Sequence, residues 1–333
     1  MLACEPVTPE GNDNQTPPST EQPGDKPNNP GEPSQPDNPS EPDEPSQPDN
    51  PSEPDDPSQP DDPNTITSRD ELPIALPEDK EPANTKFNHR ALIVDHTGVG
   101  CSNCPRVMDG LLLLAESEWG SHYHEVGCHA GKYAPADGDN AYSDDATTLN
   151  RYYKVSSYPN IQINFHYGNG NINGGSAFVM GNGDHLAKII KKSGADAGIT
   201  ASAICLPTEV KLAIGVKAAV TQEYKVTAWL LENNISNPYQ VGASQPHHIV
   251  SNHALRKIAG IFSASDISGA SMGVIEAGKE GYYTFNIPYK SSWVVSNMEI
   301  LVIVSAPNGS RKFEVVNTAL CPVIGGVEYE YLK

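Results

Sequence analysis

The sequence predicts an α/β unit followed by an all-β sandwich, both carried behind an extended proline-rich stalk. Three observations lead there. A β-branched run, Ala91-Leu92-Ile93-Val94, feeds a glycine-containing turn and then Cys101-Ser102-Asn103-Cys104-Pro105 at the head of a helical pattern. After Ser202 the chain changes to short stretches in which apolar and polar residues alternate. Before Thr65, proline recurs at every third position. The expected boundaries are residues 1–69 for the stalk, 70–200 for the α/β unit and 201–333 for the sandwich.

The proline period is unbroken from Pro27 to Pro63, and Pro39–Asn50 is nearly repeated in Pro51–Asp62. Polyproline II has three residues per turn, so these prolines line one edge of an extended helix. At about 3.1 Å per residue the segment spans roughly 110 Å. It is too polar to bury a core, and a disordered, stiff tether is expected. The net charge of −20 is concentrated here: residues 1–64 hold sixteen acids and one lysine, Lys26, for −15, which leaves −5 for the rest. With no basic patch, neither nucleic acid nor an anionic membrane surface is an expected partner. Leu2-Ala3-Cys4 reads as the end of a bacterial lipobox, which makes Cys4 the lipidation site that anchors the chain to an envelope membrane.

In the α/β unit, Ala91–Val94 is a buried strand, and Pro105 suits the first turn of the helix that Val107, Leu111 and Leu114 continue to Trp119. A second strand is expected over Tyr123–Cys128, a loop over 132–145 and a short helix over Thr147–Tyr153. Tyr158-Pro159-Asn160 leads into a strand at Ile161–Phe165. After a glycine-rich turn and a further short strand, a helix over Asp184–Ser193 closes the unit. Cysteines at a helix N-terminus meet the positive end of the dipole, which favours the thiolate of the first.

This order resembles thioredoxin-like proteins. Asp95 lies six positions before Cys101, and a proline, Pro159, precedes the next strand. The resemblance implies that Pro159 is cis and faces the cysteine pair. It also implies that Cys101 is the exposed nucleophile, that Cys104 resolves the mixed disulfide and that Asp95 relays its proton. The alternative is a static bond stapling the turn. Gly100 stands where thioredoxins carry an aromatic residue, and Ser102-Asn103 replaces their Gly-Pro.

A narrower resemblance rests on Asp95-His96-Thr97-Gly98, the cysteine pair, His129-Ala130-Gly131, Tyr158-Pro159-Asn160 with Asn164, and Ser251-Asn252-His253-Ala254-Leu255-Arg256. These phrases are similar to Bacteroidota outer-membrane lipoproteins related to the 28-kilodalton outer-membrane protein. That likeness implies a lipid-anchored, surface-exposed protein of the outer membrane, with a thiol substrate or a protein partner. A non-enzymatic adhesion role, using the fold as scaffold, is the alternative function.

In the sandwich, Glu209–Val220 and Tyr224–Leu231 alternate on either side of Gln222-Glu223 and read as a hairpin. Tyr282–Ile287, Met298–Ser305 and Arg311–Ala319 alternate too, with Asn308-Gly309 between the last two. The Cys-Trp-Cys spacing of immunoglobulin domains is absent, so the sandwich is Ig-like in architecture only. Cys205 near its start and Cys321 near its end are candidates for a closing disulfide, and Cys128 is a small buried side chain. No metal or other cofactor is expected: His247, His248 and His253 lack an acid or cysteine at ligand spacing and read as structural, and the acidic loop Asp137–Asp145 reads as solvated.

Overall fold

Residues 65 and 66, the first β-branched pair after the prolines, already belong to a sheet. The structure, a computed structural model, describes residues 65–333 apart from 166, 261 and 310; the stalk and Cys4 lie outside the described residues. Strand β1 (Thr65–Ile66) pairs with Tyr283 and Tyr282, which corrects the expected end of the stalk at residue 69.

β2 (Ala91–Thr97) is buried along its whole length. It hands the chain to α1 (Pro105–Ala115), whose first residue has no N–H to leave unsatisfied. β3 (Tyr123–His129) returns parallel to β2 with Asp95 opposite Gly127. α2 (Asp144–Tyr152) is capped by the Ser143 hydroxyl, which accepts the Ala146 N–H at 3.1 Å. β4 (Asn160–Ile163) and β5 (Tyr167–Asn169) add antiparallel strands. α3 (Ser176–Ile189) begins eight residues before the expected Asp184. Its glycines make room for neighbours: a Cβ on Gly183 would lie 2.6 Å from Trp119 Nε1.

The rest is strands: β6 (Ala197–Cys205), β7 (Glu209–Ala218), β8 (Gln222–Glu232), β9 (Ile235–Ser236), β10 (Val250–Ser251), β11 (Ala254–Ala259), β12 (Ala270–Ile275), β13 (Glu280–Pro288), β14 (Met298–Asn308), β15 (Arg311–Pro322) and β16 (Gly325–Val327). One sheet runs β1-β13-β7-β6-β16. The other runs β15-β14-β8-β11-β3-β2-β4-β5, with β12 also on β8.

The long sheet corrects the expected division at 200/201. That boundary falls inside β6, and β11 joins the two regions by pairing with β8 on one side and, through Ala254 opposite Gly127, with β3 on the other. The expected hairpin of β7 and β8 is corrected too. β7 pairs with β6 and β13, β8 with β11, β12 and β14, and the chain between them crosses from one sheet to the other. Alternation tells a strand which face to bury but not which neighbour to pair with.

Both faces of the long sheet are covered. Leu92, Val94, Trp229, Leu231 and Leu301 bury one face together with Ala146 and Leu149 of α2. On the other face, Ala91 and Ile93 meet α1 and α3 through Val107, Leu111 and Phe178. Further along that face, Val226, Leu230, Ile300 and Val302 meet Ile214 and Ile287 of the second sheet. At the seam, Arg256 of β11 donates from Nε to Glu232 Oε2 of β8 at 2.7 Å and from Nη1 to Asn140 O at 2.9 Å.

Cys205 and Cys321 are free thiols, which corrects the expected closing bridge. They lie on β6 and β15, in different sheets. Both side chains belong to one apolar core, but the Cys321 thiol donates to Pro322 O at 3.4 Å. The Cys205 thiol donates to Tyr289 Oη at 3.5 Å.

Candidate functional site

The end of β2 turns through Gly98-Val99-Gly100, and the Gly100 N–H donates to Tyr133 O at 2.8 Å. Cys101 and Cys104 follow and are bonded to each other, with Cα atoms 5.4 Å apart. Cys104 is the N-cap of α1. The Tyr158–Pro159 peptide is cis. The antiparallel register of β4 on β2, Asp95 with Ile161 and His96 with Asn160, carries Pro159 to the sheet end from which the cysteine turn leaves. Asp95, Cys101, Cys104 and Pro159 are therefore gathered at one end of one sheet.

Asp95 is buried, and its Oδ1 has no hydrogen-bond partner. Burial pushes its carboxyl well above the usual range, and the nearby Glu125 adds to the shift. Both acids, with Thr97, line a cavity of about 190 Å³ under α1, whose other wall is formed by Met108, Leu111 and Leu112.

The cysteine pair is not open to solvent. Cys101 is 3% exposed and Cys104 wholly buried. The loop between β9 and β10 lies against the turn. The Val241 N–H donates to Val99 O at 2.7 Å, and Gln240 Nε2 donates to Cys101 O at 3.0 Å. Gly242, at φ +80, comes so close that a Cβ there would lie 2.5 Å from Ser102 O.

The same loop is pinned to α1 further along. His247 Nε2 and His248 Nε2 donate to Asp109 Oδ1 at 2.7 and 2.8 Å. Burial works to raise the Asp109 carboxyl, but the two histidine hydrogen bonds hold it below its ordinary range. These three residues are the one group with metal-ligating geometry among the described residues. Their polarity does not suit a cation. His248 Nδ1 accepts the Ser244 and Gln245 N–H groups at 3.1 and 3.2 Å, so the ring proton sits on Nε2, the atom that would have to bind the ion. His253 stands apart, its Nδ1 donating to Glu299 Oε1 at 2.6 Å.

Asp139 was hidden in the loop that reads as solvated. It is buried and holds the site together: Oδ2 accepts the His129 Nδ1–H at 2.9 Å and the Val99 N–H at 3.1 Å, and Oδ1 accepts the Asn237 side chain at 3.2 Å. Burial alone would raise its carboxyl; His129 and the backbone N–H groups bring it below the usual range. Cys128 is buried as expected, its thiol donating to Ala146 O at 3.2 Å. Asp109, Asp139 and Gln240 went unread because they act on partners distant in sequence. The single local hint was the adjacent pair His247-His248.

The model of the family of outer membrane protein Omp28 matches residues 146–321. Among solved structures, HBP35 of Porphyromonas gingivalis superposes with a TM-score of 0.53 at 15% identity, over 72% of this chain and 77% of that one, which shows a common fold. A domain of the outer membrane lipoprotein Omp28 from the same organism matches at 20% identity over 39% of this chain and 89% of its own, with a TM-score of 0.25. No curated protein matches the chain. The family match covers more than half of the sequence, so the chain belongs to the Omp28 family, and its place is the outer membrane.

Proposed function

We propose that this Omp28-family outer-membrane protein carries a thioredoxin-like unit that exchanges disulfide for dithiol through Cys101 and Cys104, and that Cys4 is its lipid anchor. One observation carries the exchange reading: a Cys101–Cys104 bond at the N-terminus of α1, at the sheet end that also holds the buried Asp95. The order β3-β2-β4-β5, with α1 and α3 on one face and α2 on the other, supports the thioredoxin-like description.

In the oxidised form a substrate thiolate attacks Cys101 Sγ. The Cys101–Cys104 bond breaks, a mixed disulfide forms, and Cys104 leaves as a thiolate favoured by the helix dipole. Asp95, kept protonated by burial, is the proton source for that thiolate. A second substrate thiolate then attacks the substrate sulfur and releases Cys101. Two electrons pass from the substrate dithiol, which becomes a disulfide, to the cysteine pair. In reverse, Cys101 is the nucleophile, Cys104 resolves, and Asp95 accepts the proton.

Reduction of insulin disulfides by the pure protein, with Cys101→Ser as control, tests this. Turnover no higher than the variant's sinks the exchange reading. The burial of Cys101 favours a second reading, a binding or adhesion protein in which the bond is a staple. A redox titration separates the two: a potential below about −300 mV marks a structural bond. For the anchor, Cys4→Ser is expected to move the protein out of the membrane fraction; retention there would count against lipidation at Cys4.

A further inference from the structure

The loop 237–249 has features that packing alone does not require. Its base is closed by the β9–β10 pair and by the Asn237 N–H donating to Ile249 O at 2.8 Å. Between those ends it leaves its own sheet and lies on the cysteine turn. It contacts three successive parts of that turn: Val99 through Val241, Cys101 through Gln240, and Ser102 through the close approach of Gly242. Its far arm is tied to α1, the helix that Cys104 caps, by two histidines sharing one carboxylate oxygen. Apart from Asn237, Gln240 and His248 its side chains bury little. Tyr239 is 82% exposed and Val241 49%, so the segment is held by few polar contacts over a surface it does not fill with apolar side chains. Such a segment opens at low cost compared with a core strand.

We propose that this loop is a strap that controls access to the Cys101–Cys104 bond: seated, it denies an incoming thiolate a line of approach to Cys101 Sγ; displaced, it opens the pair. Four hydrogen bonds tie it to the cysteine turn and α1, from Gln240 to Cys101 O, from His247 and His248 to Asp109, and from the Val241 N–H to Val99 O. The backbone bond from Val241 to Val99 O reports its state. The strap comes from the β-rich region and the cysteines from the α/β region, so a partner that pulls on the strap can set the reactivity of the bond without touching it. The inference rests on the exchange reading only in taking this bond as the reactive group.

The test is the rate at which dithiothreitol reduces the bond in the described protein. One dithiothreitol thiolate attacks Cys101 Sγ, Cys104 leaves as a thiolate and takes a proton, and the second thiol closes the dithiothreitol ring and frees Cys101. Reagent electrons do the work, so the assay needs no enzymatic turnover. Asp109→Ala removes the shared acceptor, Gln240→Ala removes the contact to Cys101, and Gly242→Val places a side chain against Ser102. Each is expected to raise the second-order reduction rate tenfold or more and to speed amide exchange at Val241. Reduction within twofold of the parent, in variants whose Val241 amide exchanges faster, overturns the strap. Absence of insulin turnover in every variant would instead sink the exchange reading, and faster chemical reduction would still support the strap.

Discussion

The β2–β5 end of the long sheet and its β8–β15 end share one run of backbone hydrogen bonds through β11, yet they are filled differently. At the β8–β15 end the inward residues are Val226, Leu230, Ile300, Val302 and Val304, packed on a second sheet. At the other end, Asp95 Oδ1, both nitrogens of His96 and Thr97 Oγ1 are buried without a hydrogen-bond partner on the last residues of β2 before the cysteines, while β8 holds two such atoms, Gln222 Nε2 and Trp229 Nε1. A buried polar group left unpaired costs about 1–3 kcal/mol. A sheet evolved for stability alone would not hold so many. The apolar burial around β8 and β14 offsets part of that cost.

The strongest test of this contrast is pH. Burial holds His96 at about 3 and His89, with Lys191 adding to the effect, at about 4, against an ordinary 6.5. Both are neutral in the folded chain and charge readily once it unfolds. Their contribution is complete above about pH 6.5 and is lost as pH falls toward 4, on the order of 3 kcal/mol per histidine at the bottom of that range. Urea midpoints measured from pH 7 to 4.5 should fall, and His96→Phe should flatten the decline. A midpoint that holds or rises with acid would break the contrast.

Next in size is the seam. Arg256→Met leaves Glu232 buried without its partner and is expected to cost about 3–5 kcal/mol. Urea unfolding of the parent should be a single transition, and two transitions in the parent would show the ends to be separate units. A smaller loss, about 2 kcal/mol, is expected for the double change Cys101→Ala and Cys104→Ala, because the bond closes a very short loop. Smallest is Cys205→Ala, within about 1 kcal/mol, as suits a partly buried free thiol. A loss above 3 kcal/mol there would mean that Cys205 is bridged after all.

The site was legible to the extent that it is local. Asp95, the cysteine pair and Pro159 are separated by turns and strands whose residues announce themselves: β-branched runs, Pro105 opening a helix, a proline just ahead of β4. Asp139 was misread because an acid in a loop looks solvated until His129 and Val99 are seen to converge on it. Gln240 carries no signal at all, since a glutamine in a polar loop is an ordinary surface residue.

Residue chemistry close along the chain was enough for β2, β3, β4, β7, β8, β13, β14 and β15, for the three helices and for the cysteine turn, because periodicity and propensity act over a few residues, but β6, β11 and β12 went unread. Partnering was decided in three dimensions. That β7 leaves β8 for another sheet, that β11 fuses two expected domains, that Cys205 and Cys321 stay apart, and that a loop from the far region lies on Cys101 all depend on which surfaces meet. Alternating strands can satisfy their backbone with any neighbour of the right register, so only the packed whole chooses among them.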